Sequence, residues 1–210
     1  MDQYSVFNNY SDAEFEEMRK CLSGEKRIFA KNDVIMRHSN SENNIGIINK
    51  GVAFLLSISE DGEKGIIDYY EKGCVFGKSF APDCEINLFY VLAKEKCEVT
   101  FFSYDSLMNC CTENCNKHRK IISNIIMNSF RRSQMHIDIL SCRSIKGKLS
   151  TYFRYMKHSK NSDKFEIPVS LSDLADYLSV DRSAMMREIK KMKDQNLIDS
   201  KGSQITIIDL

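Results

Sequence analysis

The sequence predicts an α+β protein in which an N-terminal β-domain is followed by a long helix and a C-terminal winged helix-turn-helix. Short apolar segments separated by turn residues fill positions 26–107, which is typical of a β sandwich, jelly roll or barrel. Positions 113–140 contain no glycine or proline, and two short helical patterns with a hairpin follow position 168. We therefore predict three parts, at 1–108, 109–141 and 142–210.

Composition excludes several classes of protein. The 210 residues are 42% hydrophobic and 28% charged, as in an ordinary globular protein. No apolar run approaches the roughly 18 residues of a membrane-spanning helix, and the first residues show no secretory pattern. We therefore expect a cytoplasmic protein without a membrane partner. In that compartment its eight cysteines are expected to be thiols.

The charge is unevenly distributed along the chain, although the formal total is only +1. Residues 141–210 carry 13 Lys and Arg against 9 Asp and Glu, a net of +4. Residues 1–140 carry 17 and 20, a net of −3. This asymmetry favours a molecule whose last third meets a polyanion.

Two local signals place elements in the first part. Ser11 can cap an amphipathic helix over 11–23, with Glu14 as its capping-box partner. Asp61 and Gly62 lie between two apolar runs, which is a strong hairpin signal.

The long helix carries an apolar-to-small stripe at steps of three and four residues. A coiled-coil-like seam between two copies would bury it, and the small residues in it would permit close approach. The alternative is a helix packed on its own domain. The predicted seam residues are Ile121, Ile122, Ile125, Ile126, Ser129 and Ser133, and the stripe also includes Phe130, Ile137 and Leu140.

The most specific pattern lies in the last part. Ser170 and Asp173 predict a capping box for a first helix, and Asp181 is placed to cap a second. Ala175 is small where a second helix would cross, and Val180 fills the turn. A hairpin with Lys201-Gly202 at its tip follows. This is the DNA-binding arrangement, and an ordinary helical hairpin is the alternative.

The second helix carries the residue types that read DNA. Arginine donates two hydrogen bonds to guanine, and serine can contact a base edge or a phosphate. The predicted base-reading residues are Arg182, Ser183 and Arg187. The predicted phosphate contacts are Ser170, Ser172 and Lys201.

The segment SLSDLADYLSVDRSAMMREIKKMKDQNLI and the KG wing resemble the Crp/Fnr family of bacterial transcription regulators, and the resemblance extends over nearly the whole chain. It implies a jelly-roll effector domain resembling cyclic-nucleotide-binding domains, a dimerisation helix and a winged helix-turn-helix. It also implies an allosteric homodimer on a two-fold symmetric DNA site, with RNA polymerase as a candidate partner. Ser183 stands where several members have glutamate, and Ser179 where glycine is common.

The same resemblance indicates an effector pocket but names no effector or cofactor. Members that bind cyclic AMP carry Gly-Glu after a phenylalanine and Arg-Ser about ten residues on. The matching positions are Phe76, Gly77 and Lys78, and Asn87 and Leu88. Lys78 replaces the acidic residue that would hold the ribose, and Asn87 replaces the arginine that would neutralise the phosphate. Without that arginine the charge of a buried cyclic phosphate has no partner. We therefore expect no cyclic AMP binding in the usual mode.

The cysteines suggest an alternative regulator that responds to thiol oxidation or a metal. Cys110, Cys111 and Cys115 form a local cluster, with His118 nearby. A cysteine-rich inert core is the other interpretation. With only Cys21 near the N-terminus, the iron–sulfur site of oxygen-sensing members is not expected, and no His or Cys makes a specific case for haem.

The sequence disfavours two other classes of function. A jelly-roll metal enzyme needs clustered histidine and carboxylate ligands on strands, and only His38 of four histidines lies in the strand region. We therefore expect no enzyme. A protein-interaction adaptor with a degenerate DNA domain remains a remote alternative, which the retained Arg182, Arg187 and Lys201 disfavour.

Overall fold

The computed structural model describes residues 12–37, 44–77, 88–108 and 116–210. These residues form two compact units, which divide between Phe130 and Arg131. None of the helices in the described ranges is long and apolar enough to cross a membrane.

The first unit is built on two antiparallel four-stranded sheets. Its helices are α1 (Asp12–Cys21), α2 (Tyr104–Met108) and the first part of α3 (Asn116–Ser141). Its strands are β1 (Glu25–Phe29), β2 (Val34–Arg37), β3 (Asn44–Lys50), β4 (Ala53–Ile58), β5 (Lys64–Tyr70), β6 (Val75–Gly77), β7 (Leu88–Ala93) and β8 (Cys97–Ser103). The sheet orders are β1-β8-β3-β6 and β2-β7-β4-β5. The predicted hairpin is confirmed, because β4 pairs with β5 and Gly62 adopts φ 80° between them.

Alternation along the strands separates two clusters of buried side chains. In β3, Ile48 faces the opposite sheet, whereas Ile45 and Ile47 face outward. The inner cluster is Ile35, Met36, Ile48, Ala53, Leu55, Tyr70, Cys74, Phe76, Phe89, Val91, Ala93, Cys97, Val99 and Phe101. The outer cluster is Phe15, Leu22, Ile45, Ile47, Val75, Phe102 and Ile125.

The outer cluster corrects the predicted seam on α3. Ile125 is only 2% exposed, and Ile122 packs against the same cluster. Both side chains therefore cover the outer face of a sheet in their own unit, which was the alternative interpretation for this helix. Ile126 is 57% exposed, and Phe130 is exposed as well. The Ile121 side chain lies outside the part of the chain that the structure describes.

The second unit contains the end of α3 and all later elements. These are α4 (Ile145–Lys160), β9 (Lys164–Glu166), α5 (Leu171–Tyr177), α6 (Arg182–Asp194), β10 (Ile198–Lys201) and β11 (Gln204–Ile207). The three strands form one sheet in the order β10-β11-β9. Met135 and Ile139 of α3 are buried in this unit. The predicted α+β class, with a jelly roll before a winged helix-turn-helix, is confirmed.

A substitution at Gly46 tests the packing of the jelly roll. A Cβ at Gly46 would overlap the ring of Phe76, which is fully buried and stacked on Tyr70 at 5.5 Å. Because that ring cannot move aside freely, Gly46→Ala should lower the free energy of unfolding by about 1–3 kcal/mol. Urea unfolding followed by circular dichroism measures this.

Gly65→Ala is the matched control. Its Cβ would meet only the Ser57 hydroxyl, at 3.5 Å. This strand glycine should therefore be replaced without loss of stability. Equal unfolding midpoints for the two variants would contradict the packing of Phe76 against Gly46.

Candidate nucleic-acid interface

The first helix of the motif begins at a complete capping box. The Asp173 backbone N–H donates to the Ser170 hydroxyl at 3.2 Å, and the Ser170 N–H donates to the Asp173 carboxylate at 3.3 Å. The predicted capping box is therefore confirmed. It could be predicted because it depends only on two residues three positions apart. Ser170 and Ser172 are both exposed beside this end of α5.

The end of α5 forms a Schellman motif. The Val180 N–H donates to the Ala175 carbonyl at 3.0 Å, and the Ser179 N–H donates to the Asp176 carbonyl, also at 3.0 Å. Ser179 adopts φ 51°, in the left-handed region that favours glycine. Ala175 is buried, as expected for the position where the second helix crosses.

The second helix, α6, has one buried face and one exposed face. The Asp181 carboxylate accepts from the Ala184 N–H at 2.7 Å and so caps its first turn. Its buried side chains are Met185, Ile189 and Met192. All three predicted base-reading residues, Arg182, Ser183 and Arg187, are exposed.

Two further residues share the exposed face of α6 and were not predicted. Met186 is 38% exposed, and Lys190 is exposed one turn further on. Both follow Ser183 at helical spacing, so the face continues beyond the predicted residues. Helical spacing from Ser183 could have revealed both residues. Met186 was missed because it stands between the core methionines Met185 and Met192, so its residue type gives no sign of exposure.

The wing is the hairpin of β10 and β11. Lys201 pairs with Gln204, and Gly202 at the tip adopts φ 62°. The Lys193 ammonium donates to the Ser200 carbonyl at 2.7 Å, which ties the end of α6 to β10. Lys201 itself is exposed at the tip, as predicted.

The three cations predicted to contact DNA have no acidic partner within the described ranges. Arg182, Arg187 and Lys201 form no ion pair there, whereas Lys191 lies 3.6 Å from Glu188. The three unpaired cations are therefore available to an anionic partner. Phosphates and guanine edges are ligands of this kind.

The predicted effector-pocket residues are only partly described. Phe76 is fully buried in the inner cluster, where Phe101 meets its ring edge-on at 6.2 Å. Gly77 is also buried, and Leu88 begins β7. Lys78 and Asn87 lie outside the described residues. The pocket as a whole stays a prediction.

The predicted cysteine cluster, Cys110, Cys111 and Cys115, also lies outside the described residues. Of the cysteines that are described, Cys74 and Cys97 are buried, and burial raises the pKa of the Cys97 thiol. Within the described ranges no three His, Cys, Asp or Glu side chains are grouped to hold a metal ion.

A capped helix with exposed arginines, a preceding short helix and a wing define a helix-turn-helix DNA-binding module joined to a β-domain. Two family models match the chain accordingly. The cyclic nucleotide-binding domain matches residues 26–114, and the Crp-like helix-turn-helix domain matches residues 147–210.

Individual proteins agree with these family models. The Anaerobic regulatory protein of Pasteurella multocida is 22% identical over 95% of this chain and 74% of its own length. Electron transport regulator A of Shewanella oneidensis is 22% identical over 88% of this chain and 75% of its length. The structure of FixK2 from Bradyrhizobium japonicum has a TM-score of 0.69 at 17% identity, covering 88% of this chain and 92% of FixK2.

With both domains in this order, the chain belongs to the Crp/Fnr family of transcription regulators. The similar proteins are regulators rather than enzymes.

The turn of the motif gives a stability prediction. Ser179→Gly should raise the free energy of unfolding by up to about 1 kcal/mol, because glycine adopts the left-handed conformation without the Cβ clash. Greater freedom of the unfolded glycine chain offsets part of this gain. Thermal unfolding followed by circular dichroism measures the change.

Ser172→Gly is the control, since it makes the same replacement on an exposed face of α5. Glycine within a helix lowers stability by roughly 0.5–1 kcal/mol. The prediction fails if both variants are destabilised alike.

Proposed function

We propose that the chain binds a specific, two-fold symmetric DNA site as a homodimer and so regulates transcription. The single observation that carries this proposal is the geometry of α6. One face is anchored in the core by Met185, Ile189 and Met192. Outside that face Arg182 and Arg187 are exposed and form no ion pair within the described ranges. A helix supported in this way can enter a major groove without rearranging.

Different residues take different parts in the proposed contact. Arg182 and Arg187 would read guanine edges, and Ser183 would contact a base edge or a phosphate. Ser170 and Ser172 at the start of α5 and Lys201 on the wing would hold phosphates and fix the register. Phosphate contacts give affinity for any duplex, whereas base contacts give preference for one sequence.

This division of roles is tested by two substitutions. Arg187→Ala should weaken binding to the preferred duplex by about 1–3 kcal/mol and relax the preference at one base position. Lys201→Ala should weaken binding to all duplexes alike and lower the salt slope by about 1. Fluorescence anisotropy titrations against a duplex selected from a random pool, at several salt concentrations, measure both effects.

The control duplex is a scrambled sequence of the same length and base composition as the preferred duplex. If Arg187→Ala lowers affinity for both duplexes by the same factor, Arg187 does not read bases. If wild-type protein selects no sequence from the pool, the proposed function itself is wrong.

The dimer is supported by an exposed stripe on α3. Ile126, Phe130, Ser133, Ile137 and Leu140 follow one another at steps of four, three, four and three residues. The four apolar side chains among them are exposed in the single chain. A four-three repeat of this kind is the seam of a two-stranded coiled coil. We therefore propose that residues 109–141 include the dimerisation helix. The two copies would contact each other through this stripe and not through Ile125.

The seam is tested at one of its exposed apolar positions. Ile137→Glu would place a carboxylate in an apolar interface, and an unpaired buried charge is costly. The variant should sediment as a monomer at concentrations where the wild type is dimeric. Gln134→Glu is the control, because it introduces the same side chain at an exposed position of the same helix. Wild-type sedimentation as a monomer, or dimers of both variants, would contradict the seam.

We further propose that residues 1–108 form the effector domain and residues 142–210 the DNA-binding domain. The absence of the acidic residue and arginine at Lys78 and Asn87 argues against cyclic AMP as the effector. Contact with RNA polymerase and the thiol- or metal-responsive alternative at Cys110, Cys111 and Cys115 stay predictions.

A further inference from the structure

The carbonyl groups at the end of α5 are all hydrogen-bonded, and two of their partners come from other helices. The Leu174, Ala175 and Asp176 carbonyls accept from the local backbone N–H groups of Leu178, Val180 and Ser179. The Tyr177 and Leu178 carbonyls instead accept from His136 of α3 and Lys148 of α4. The usual local capping therefore accounts for only part of this turn.

His136 makes two contacts with the same residue. Its Nε2 lies 3.0 Å from the Tyr177 carbonyl oxygen, and its ring stacks on the Tyr177 ring at 4.1 Å with an interplanar angle of 8°. A carbonyl can only accept, so Nε2 carries the proton in this contact. Tyr177 is buried. The ring and the backbone of Tyr177 are thus both fixed by one side chain of α3.

Lys148 completes the arrangement from α4. Its ammonium donates to the Leu178 carbonyl at 2.7 Å and lies 3.5 Å from the Ser179 carbonyl oxygen. Cations are favoured at this end of a helix, where the macrodipole is negative. Two consecutive carbonyls are therefore held from two different helices.

These contacts lie immediately before α6, the helix proposed to read DNA. Ser179 adopts a left-handed conformation, and Asp181 caps α6 two residues later. A non-glycine residue in that conformation persists only where its surroundings over-determine it. The direction in which the chain leaves Tyr177 consequently sets where α6 starts.

We propose that His136 is a positioning residue for DNA reading, which acts with Lys148 to hold the turn between α5 and α6. This inference rests on the proposed function. His136 neighbours Ile137, an exposed residue of the proposed seam, while Met135 and Ile139 are buried in the same unit. One turn of α3 thus presents the seam on one face and the turn contact on another. A shift of α3 at the seam reaches α6 through the Tyr177 carbonyl.

Two substitutions separate the hydrogen bond from the stacking. His136→Phe keeps an aromatic ring but loses the donor, and His136→Gln keeps a donor at similar reach but loses the ring. His136→Phe should weaken binding to the preferred duplex by about two- to twelve-fold, and to the scrambled duplex by less than about twofold. His136→Gln should recover most of the preference. Equal losses on the two duplexes would show a structural role only and overturn the proposal.

Amide hydrogen exchange of the free protein gives a readout that does not depend on DNA. His136→Phe should speed exchange of the Val180 and Ser179 amides by about two- to twelve-fold, while the Ile189 amide within α6 exchanges as in the wild type. Unchanged exchange at the turn would overturn the proposal even if DNA binding is confirmed. If wild-type protein selects no sequence while the turn amides respond, the proposed function fails and the DNA-reading role of His136 fails with it.

Lys148→Met is the second variant, in case His136→Phe lowers the folded population. It removes a donor from the same turn and keeps a side chain of similar length. The same selective loss of preference and the same faster exchange are expected. Neither effect in a folded Lys148→Met variant would overturn the paired role.

Discussion

The α3 helix contributes side chains to the cores of both units, and the rest of the structure depends on this constraint. Ile125 covers the outer face of a sheet in the first unit, and Ile139 is buried in the second. Because these positions are taken up within the chain, the apolar residues left over fall on another face. Ile126, Phe130, Ile137 and Leu140 are exposed, and the proposed dimer rests on these four side chains.

The parts predicted from the sequence are those decided by neighbouring residues. The capping box of Ser170 and Asp173, the cap at Asp181 and the hairpin at Asp61-Gly62 each depend on a few consecutive positions. The buried face of α6 follows from helical periodicity in the same way. The order of these local signals along the chain predicts the fold class, because each signal agrees with the others.

The parts that could not be predicted depend on residues far apart in the chain. Ile125 and Ile126 are chemically identical, and Ile125 is the one that joins the outer cluster, whose other members lie far away in the sequence. The contact between His136 and Tyr177 joins residues 41 positions apart. No periodicity relates those two positions. A histidine between Met135 and Ile137 gives no sign in the sequence that it will contact the end of another helix.

Ser179 shows why these long-range contacts matter at the start of α6. A glycine would adopt its conformation without strain, whereas serine costs roughly 1 kcal/mol there. The Schellman hydrogen bonds and the donors of His136 and Lys148 offset that amount, since each net hydrogen bond contributes about 0.5–1.5 kcal/mol. A turn stabilised in this way depends on α3 and α4. The start of α6 is therefore set by side chains of α3 and α4 as well as by the sequence of the turn.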